Sequence, residues 1–287
     1  MTLIIILIGM AFEHFVGVDD KLRRFAWFTD YVRWLENRLA KHPLWNGAGG
    51  IVITFAGPLL MVALIAWALS KLFFPLAMLF SLAVLIYSLG PRYLNPQLDE
   101  LIDTMEQGDG ERFRLLISEY LDDDALQDDQ DLLEKILVEA NERLFGVLFW
   151  FIILGPLGSI MYRLACILRH QRSDIHGHYA ESALDLYNIL NWLPARLFTF
   201  GNAITGNMVD AMEAWREAEK QSLAVNDDVI RAGGLGALSY QQQESADDES
   251  VLNDRIFWLH ALQGLLNRTL LAWLTVLGIM TLSGWLV

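Results

Sequence analysis

Ionisable and amide side chains interrupt several apolar stretches of the chain, and these residues have the chemistry to form a site. The apolar run 145–169, for example, contains Tyr162 and Arg163. Charged and polar groups are costly inside a membrane, so they tend to face a cavity or one another. The same reasoning gives a set of candidate side chains: Glu13, His14, Tyr162, Arg163, Asp185, Asn188, Asn191 and Arg196.

The spacing of these residues predicts two kinds of contact. Asp185, Asn188 and Asn191 follow one another at three-residue intervals, which we interpret as one face of a helix. Arg196 comes just after Pro194 and is placed to pair with a carboxylate on a neighbouring element. Because guanidinium groups bind carboxylates and phosphates at two points, either these groups lock a helical bundle or they line a pocket for a small anionic ligand.

Other chemistries find little support in the sequence. The acidic stretch 122–133 lacks the Gly at position six and the Glu at position twelve that an EF-hand requires. His176 and His178 flank a glycine without a third well-spaced ligand. There is no GxxxxGK[ST] loop and no GxSxG turn. We therefore predict no metal site, no resident cofactor and no catalytic residue.

The distribution of apolar and charged residues predicts a membrane protein. The chain has 287 residues, of which 54% are hydrophobic and 20% are charged. Residues 49–90 contain a single charge, Lys71, whereas residues 99–142 are crowded with Asp and Glu. The net charge of −14 argues against nucleic acid as a partner, because phosphate binding needs Lys and Arg clusters. The expected partner is the lipid bilayer.

We predict an all-α fold with one membrane domain of four or five hydrophobic segments and a small helical cytoplasmic layer. The region 1–90 is expected to hold a first apolar segment, a basic amphipathic helix within 19–48, and a transmembrane hairpin at about 50–70 and 75–90. The amphipathic helix either lies at the membrane surface or packs on the rest of the protein. Six Lys and Arg residues within 19–48 place this face in the cytoplasm.

Three further regions are assigned from composition and periodicity. Residues 91–143 are predicted to form three helices of the acidic cytoplasmic layer. Residues 206–268 are expected to contain amphipathic helices and a flexible loop. Residues 269–287 are predicted to form the C-terminal transmembrane helix.

The region 144–205 is predicted to be the membrane core. At two places the sequence allows more than one path of the chain through the membrane. Residues 144–168 either cross the membrane once with a kink at Gly155 and Pro156, or form two half-helices that turn there. Full crossings are commoner, which favours the first path. Residues 183–205 either cross the membrane or dip in and return.

Three blocks of the sequence resemble the AmpE family of inner-membrane regulatory proteins: MTLIIILIGMAFEHF, GVLFWFIILGPLGSIMYR and LDLYNILNWLPARL. That family is similar in turn to CobD/CbiB, membrane proteins that join an aminopropanol phosphate to adenosylcobyric acid in cobalamin biosynthesis. The resemblance covers nearly the whole chain. It implies a multi-pass protein of the bacterial inner membrane that acts in signalling and antibiotic response through β-lactamase induction.

The resemblance also shows departures from the CobD/CbiB pattern. Aligned on LFW, Glu139 and Glu142 fall where that family has Asn and Asp. Further on, Cys166 and Arg169 replace an Asn and an Asp. A ligase that handles phosphate and Mg²⁺ needs carboxylates to hold the metal, so these changes argue against retained synthase activity.

Tyr162, Arg163, Asn191 and Arg196 match the pattern and retain the capacity to bind an anion. The main prediction is therefore a non-catalytic regulatory protein similar to AmpE, which binds a small anionic ligand or a partner. The residues assigned to this binding are Tyr162, Arg163, Asp185, Asn188, Asn191, Arg196, Glu13, Glu139 and Glu142. One alternative is a membrane-bound amide-forming synthase with an altered substrate, which alone would require Mg²⁺ or ATP. Another is a structural protein whose polar groups stabilise a homodimer.

Overall fold

The computed structural model describes residues 2–15, 25–39, 45, 47–89, 94–121, 129–171, 178–221, 226–241 and 248–284. Thirteen α-helices and one π-helical turn account for nearly all of these residues, and no strand occurs among them. The helices are α1 (Thr2–Phe15), α2 (Ala26–Leu39), α3 (Ala48–Leu72), α4 (Phe74–Ser88), α5 (Leu94–Glu106), α6 (Gly110–Leu121), α7 (Asp129–Ala140), the π-helical turn (Asn141–Phe145), α8 (Gly146–Leu154), α9 (Pro156–His170), α10 (His178–Thr205), α11 (Met208–Gln221), α12 (Asn226–Leu238) and α13 (Asp248–Leu282). The all-α prediction is confirmed.

The described chain forms two compact units. The first is built from parts of Met1–Pro91 and Glu142–Trp192, and the second from parts of Arg92–Asn141 and Leu193–Trp285. Each unit therefore joins segments that are far apart in the sequence.

Apolar helices occur in both units. Within the described residues, Ala48–Leu72 and Val251–Leu282 are long and apolar enough to cross a membrane, and Thr2–Glu13 and Phe74–Ser88 are shorter apolar helices. A membrane crossing needs about 20 residues, so these two longer helices meet the requirement by length and composition. The structure is that of an all-α membrane protein.

Helices α3 and α4 occupy the two segments predicted for the N-terminal transmembrane hairpin, and they pack on each other. Only Phe73 separates them, and Pro75 in the first turn of α4 suits a helix start. The amphipathic prediction for α2 is confirmed, since Phe28, Val32 and Leu35 are buried along one stripe. Phe28 contacts the ring of Phe55 on α3, so this stripe packs on the protein.

The favoured single crossing at 144–168 is wrong, because the chain ends one helix and starts another at Gly155 and Pro156. Gly155 has φ +61°, a conformation that glycine adopts readily, and Pro156 begins α9. Helices α8 and α9 then pack on each other. A side chain at Gly158 would lie 2.1 Å from the carbonyl oxygen of Trp150, so the two helices approach closely at this point.

Two other segments prove more continuous than the sequence pattern predicts. The predicted helix at 250–266 and the part of the predicted crossing from 269 to 282 belong to one helix, α13. The intervening Asn267 and Arg268 interrupt the apolar pattern without breaking the helix, since neither residue prevents helical backbone geometry. Helix α10 likewise runs without a turn from His178 to Thr205 and contains Pro194.

Glycines allow close helix packing in the second unit. The AGGLGA stretch lies in α12, where a side chain on Gly233 would come within 2.2 Å of Thr199 on α10. A side chain on Gly236 would lie 2.7 Å from the carbonyl oxygen of Asp210 on α11. These glycines allow close packing between helices.

Candidate functional site

One face of α9 carries five side chains with polar or ionisable groups. Tyr162, Arg163, Cys166, Arg169 and His170 follow one another at intervals that return to the same side of a helix after one and two turns. The first three of these side chains are buried, whereas the last two lie nearer to solvent.

A glycine makes room for Tyr162. Helix α8 presents Gly146 to the tyrosine ring, and a methyl group at that position would lie 2.3 Å from two ring carbons. No real side chain tolerates that distance, so the ring can occupy its place only because residue 146 has no side chain. The turn at Gly155 brings α8 and α9 into this contact.

The hydroxyl of Tyr162 begins a directed chain of hydrogen bonds. It donates to Oδ1 of Asn191 at 2.9 Å, and Nδ2 of Asn191 donates to the hydroxyl of Tyr187 at 2.8 Å. Tyr187 is in turn hydrogen-bonded to the carboxylate of Glu142. All four side chains are buried. The amide of Asn191 is therefore fixed from both sides, and the chain ends on a carboxylate.

Glu142 is the centre of the charged part of this cluster. Nη1 of Arg169 donates to Oε1 of Glu142 at 2.6 Å, and Nε2 of His170 lies 2.8 Å from Oε2. The guanidinium of Arg169 also stacks on the ring of Tyr187, 4.3 Å from its centroid. Tyr187 thus contacts Glu142 through its hydroxyl and Arg169 through its ring. We call Glu142, Tyr162, Arg163, Cys166, Arg169, His170, Tyr187 and Asn191 the polar cluster.

The Glu142 carboxyl stays ionised despite its burial. Burial by itself would raise its pKa, but His170, Arg169 and the hydrogen bond with Tyr187 outweigh that effect and lower the pKa from 4.5 to about 2. At neutral pH this group is therefore an anion that holds cations, and it has no proton to donate.

Arg163 and Cys166 belong to the same cluster. The Cys166 thiol lies within electrostatic range of Glu142, Arg163 and Arg169, and within hydrogen-bonding range of Tyr162. The cluster therefore combines two guanidinium groups and an imidazole with the carboxylate of Glu142.

Several other residues were also assigned to the site. Asp185 is exposed and Asn188 is half-buried, while Asn191 is fully buried. The prediction that these three share one face is wrong, because each three-residue step falls about 60° short of a full helical turn. Glu13 is buried in α1, and Glu139 is buried at the end of α7 in the second unit. The side chain of His14 and residue His176 lie outside the described part of the chain.

Arg196 belongs to the second unit, and its predicted pairing with a carboxylate is confirmed. Its Nη2 lies 3.3 Å from Oε1 of Glu219 on α11. Its Nη1 donates to Oδ1 of Asn226 on α12 at 3.0 Å. Arg196 is therefore in a different compact unit from Tyr162 and Arg163.

The first unit also contains a cavity of about 660 Å³ among α2, α3 and α4. Its walls are apolar residues such as Met61 and Phe80, together with Trp27 and Tyr87, whose side chains share a hydrogen bond of 2.8 Å. None of the residues assigned to the site from the sequence lines this cavity.

Arg169, His170 and Tyr187 were missed by the site prediction. The signal that would identify them is helical spacing. Arg169 and His170 follow Tyr162 by seven and eight residues, and Tyr187 precedes Asn191 by four. Glu142 was included, but its partners come from helices that the sequence alone does not bring together.

Glu142 itself is poorly placed to bind Mg²⁺. Glu142 and His170 are among the described side chains that can offer ligand atoms to a metal ion. However, both carboxylate oxygens of Glu142 are already engaged, one by Arg169 and one by His170. Mg²⁺ prefers octahedral oxygen ligands, and a bound guanidinium at this carboxylate competes with it directly.

The fold and the polar cluster define the chain as an all-α membrane protein with a buried, arginine-rich polar site, and sequence comparisons place it in a family. A family model described as CobD/Cbib protein matches residues 6–245, which is well over half of the chain. The chain belongs to the CobD/CbiB family. This match includes the entire polar cluster.

Two relatives support this placement, and both are named Cobalamin biosynthesis protein CobD. The protein from Chromobacterium violaceum is 27% identical over 209 residues, which cover 68% of this chain and 65% of the relative. The protein from Stutzerimonas stutzeri is 29% identical over 222 residues, which cover 71% of each. The chain thus spans just under two thirds of the Chromobacterium relative. No solved structure matches.

These comparisons correct the main functional prediction. They support the CobD/CbiB part of the resemblance and do not support the AmpE part. The prediction of a regulatory protein for β-lactamase induction, with its roles in signalling and antibiotic response, is therefore contradicted by the cobalamin biosynthesis names of the relatives. The error arose because missing carboxylates were given more weight than the overall pattern.

Proposed function

We propose that this protein is a membrane-bound synthase of the CobD/CbiB type, which forms an amide bond between a carboxylate and an amine that carries a phosphate group. The observation that carries the proposal is the family match over residues 6–245, because it contains every residue of the polar cluster. The cluster is buried, internally hydrogen-bonded and rich in arginine, as a site for anionic substrates requires.

Each part of the cluster suits a step of this chemistry. Both substrates carry an anionic group, and Arg163 and Arg169 supply positive charge that can bind such a group. The fixed chain from Tyr162 through Asn191 to Tyr187 holds the site in one geometry before the substrate arrives. Condensation of a carboxylate with an amine releases water, and a phosphoryl donor such as ATP would remove that oxygen as phosphate.

Cys166 and Arg169 stand where the CobD/CbiB pattern has Asn and Asp, and this departure points to an altered substrate. Replacing an acidic group by a guanidinium changes the local charge by two units. We therefore propose that the substrates share the reacting carboxylate and amine phosphate of the family but differ in the groups around them.

The proposed location is the bacterial inner membrane, with several crossings. The apolar helices α3 and α13 support this proposal, as do the shorter α1 and α4. The positive charges within 19–48 favour a cytoplasmic face for the adjoining loops, where phosphorylated metabolites are available. A homodimer stays a prediction.

The proposal is tested by condensation with purified protein. The full chain in detergent is supplied with cobyric acid, aminopropanol phosphate, ATP and Mg²⁺, and the amide product is measured by mass spectrometry. A panel of other carboxylates and amine phosphates follows, since an altered substrate is expected. We expect amide product with at least one pair.

The variant Asn191→Leu removes the centre of the hydrogen-bonded chain and should reduce turnover at least tenfold. Arg112→Gln is the matched control, because Arg112 forms an exposed pair with Glu100 in the second unit. Folding of both variants is checked by circular dichroism. If no pair is condensed, or if Asn191→Leu turns over as fast as Arg112→Gln, the synthase proposal is wrong.

A further inference from the structure

Two members of the polar cluster have substantial contact with solvent. The Arg169 side chain is 21% exposed and the His170 side chain is 41% exposed. The other members, including Glu142, Tyr162 and Asn191, are buried. A ligand that approaches this cluster from outside therefore meets a guanidinium and an imidazole first.

The guanidinium of Arg169 is held in place by two neighbours of different kinds. Glu142 accepts a hydrogen bond from Nη1, and Tyr187 supports the flat face of the group. A long side chain usually loses conformational freedom when it binds a ligand, and that loss weakens binding. Here the orientation of Arg169 is fixed beforehand, so less freedom is lost when the ligand binds.

We propose that Arg169, with His170 beside it, binds the phosphate group of the substrate, and that Glu142 and Tyr187 are positioning residues that fix the guanidinium. The choice of phosphate as ligand rests on the proposed function. Arginine binds the oxygens of phosphate through parallel hydrogen bonds, which a planar group in a fixed orientation makes well.

Because of their position in the helix, Arg169 and His170 themselves must supply the attraction for a phosphate group. Arg169 and His170 are the last residues of α9, and the C-terminal end of a helix carries a partial negative charge. The backbone therefore gives an anion no help at this place. Removing the charge of Arg169 should therefore weaken phosphate binding strongly.

The experiment measures binding of O-phosphoethanolamine, with ethanolamine as the probe that lacks phosphate, by isothermal titration calorimetry on the full chain in detergent. The variant Glu142→Gln/Arg169→Gln removes both charges together, so that no buried charge is left alone. We expect it to bind phosphoethanolamine about 10- to 100-fold more weakly than the wild type, as the loss of a charged hydrogen-bonded partner implies.

The single variant Glu142→Gln separates the proposed role from a direct one. If Glu142 only positions Arg169, its loss should weaken phosphoethanolamine binding much less than the double substitution does. If Glu142→Gln weakens binding as much as the double variant, Glu142 itself contacts the ligand or a metal, and the inference is wrong. Arg112→Gln is the control and should bind like the wild type.

Two further results would overturn the inference. One is equal binding by the wild type and the double variant. The other is binding only to micelles that contain phosphatidate, since that would assign the site to a lipid headgroup. Absence of amide product from preparations that still bind phosphoethanolamine through Arg169 would refute the synthase proposal and leave this site standing.

Discussion

Arg169 in the first unit and Arg196 in the second are each paired with a glutamate, but the two pairs differ in the burial of the acid. Glu142, the partner of Arg169, is 2% exposed, whereas Glu219, the partner of Arg196, is 46% exposed. The two arginines themselves are exposed to a similar degree. The environment of the carboxylate, and not that of the arginine, therefore distinguishes the pairs.

This difference indicates which of the two ion pairs matters more for the stability of the fold. An exposed carboxylate that loses its partner is solvated by water, whereas a buried one keeps an uncompensated charge. Arg169 is consequently required by the structure around it and is also the part of the polar cluster that reaches solvent. Arg196 lies at the surface of a bundle that glycines hold close together.

The largest expected effect comes from Arg169→Gln. With Glu142 left in place, we expect the free energy of unfolding to fall by about 3–5 kcal/mol, since a buried charge loses its partner. His170 still contacts the carboxylate, which favours the lower end of that range. Thermal unfolding in detergent measures the change.

The matched control is the double variant Glu142→Gln/Arg169→Gln, which should recover most of the lost stability because no buried charge remains. If the single and double variants are equally unstable, the unpaired charge of buried Glu142 is not the cause of the instability, and burial of the acid does not distinguish the two arginine pairs.

The second prediction concerns pH. The pKa of Glu142 is lower in the folded protein, at about 2, than its ordinary value of 4.5. The ion pair therefore contributes its full stability above about pH 4.5, and this contribution is lost as the pH falls toward 2. Unfolding temperatures measured across this range should fall more steeply for the wild type than for Glu142→Gln. Parallel curves would show that Glu142 does not carry the effect.

The third prediction compares glycines of the two units. Gly146→Ala places a methyl group against Tyr162, and Gly233→Ala places one against Thr199. Each should destabilise the protein by about 1–3 kcal/mol through overpacking. Only Gly146→Ala should also weaken phosphoethanolamine binding, because it displaces the ring that begins the hydrogen-bonded chain.

Gly278→Ala serves as the control for both substitutions. A methyl group at this position meets open space in α13, so stability and binding should stay close to the wild type. Equal loss of binding in the Gly146 and Gly233 variants would mean that the effect reports general instability.

The smallest effect is expected from Arg196→Gln. The pair with Glu219 is partly exposed, and such pairs contribute about 0–1 kcal/mol. The hydrogen bond to Asn226 adds about 1 kcal/mol. The same unfolding measurement should therefore show a smaller loss than Arg169→Gln does. A loss as large as that of Arg169→Gln would mean that Arg196 has a structural role that its exposed partner does not explain.

The helical fold was predictable because the signals are local. The N-terminal hairpin at α3 and α4 follows from two apolar runs divided by Phe73 and Pro75. The turn between α8 and α9 was less predictable, since Gly155 and Pro156 allow either a kink or a reversal. Only contacts such as that of Gly158 with Trp150 distinguish the two paths.

The site was predictable in part. Tyr162, Arg163 and Asn191 were identified because each is polar within an apolar stretch, and the structure places all three in the polar cluster. Arg169 and His170 were missed because they lie at the polar end of the run, where charged residues are ordinary. Asp185 was included wrongly, since spacing by threes drifts around the helix and takes it to the exposed side.

By itself, the sequence determined that the chain is helical, that it contains membrane-like apolar segments, and that Tyr162 and Arg163 are unusual in their surroundings. Those conclusions depend on composition and periodicity, which act over one or two helical turns. Tertiary structure decided that Glu142, Arg169 and Tyr187 meet, because these residues come from three elements up to 45 positions apart. Which cation pairs with a buried acid depends on which helices pack together. That packing depends on side chains far apart in the sequence, such as the ring of Tyr162 that fits against Gly146.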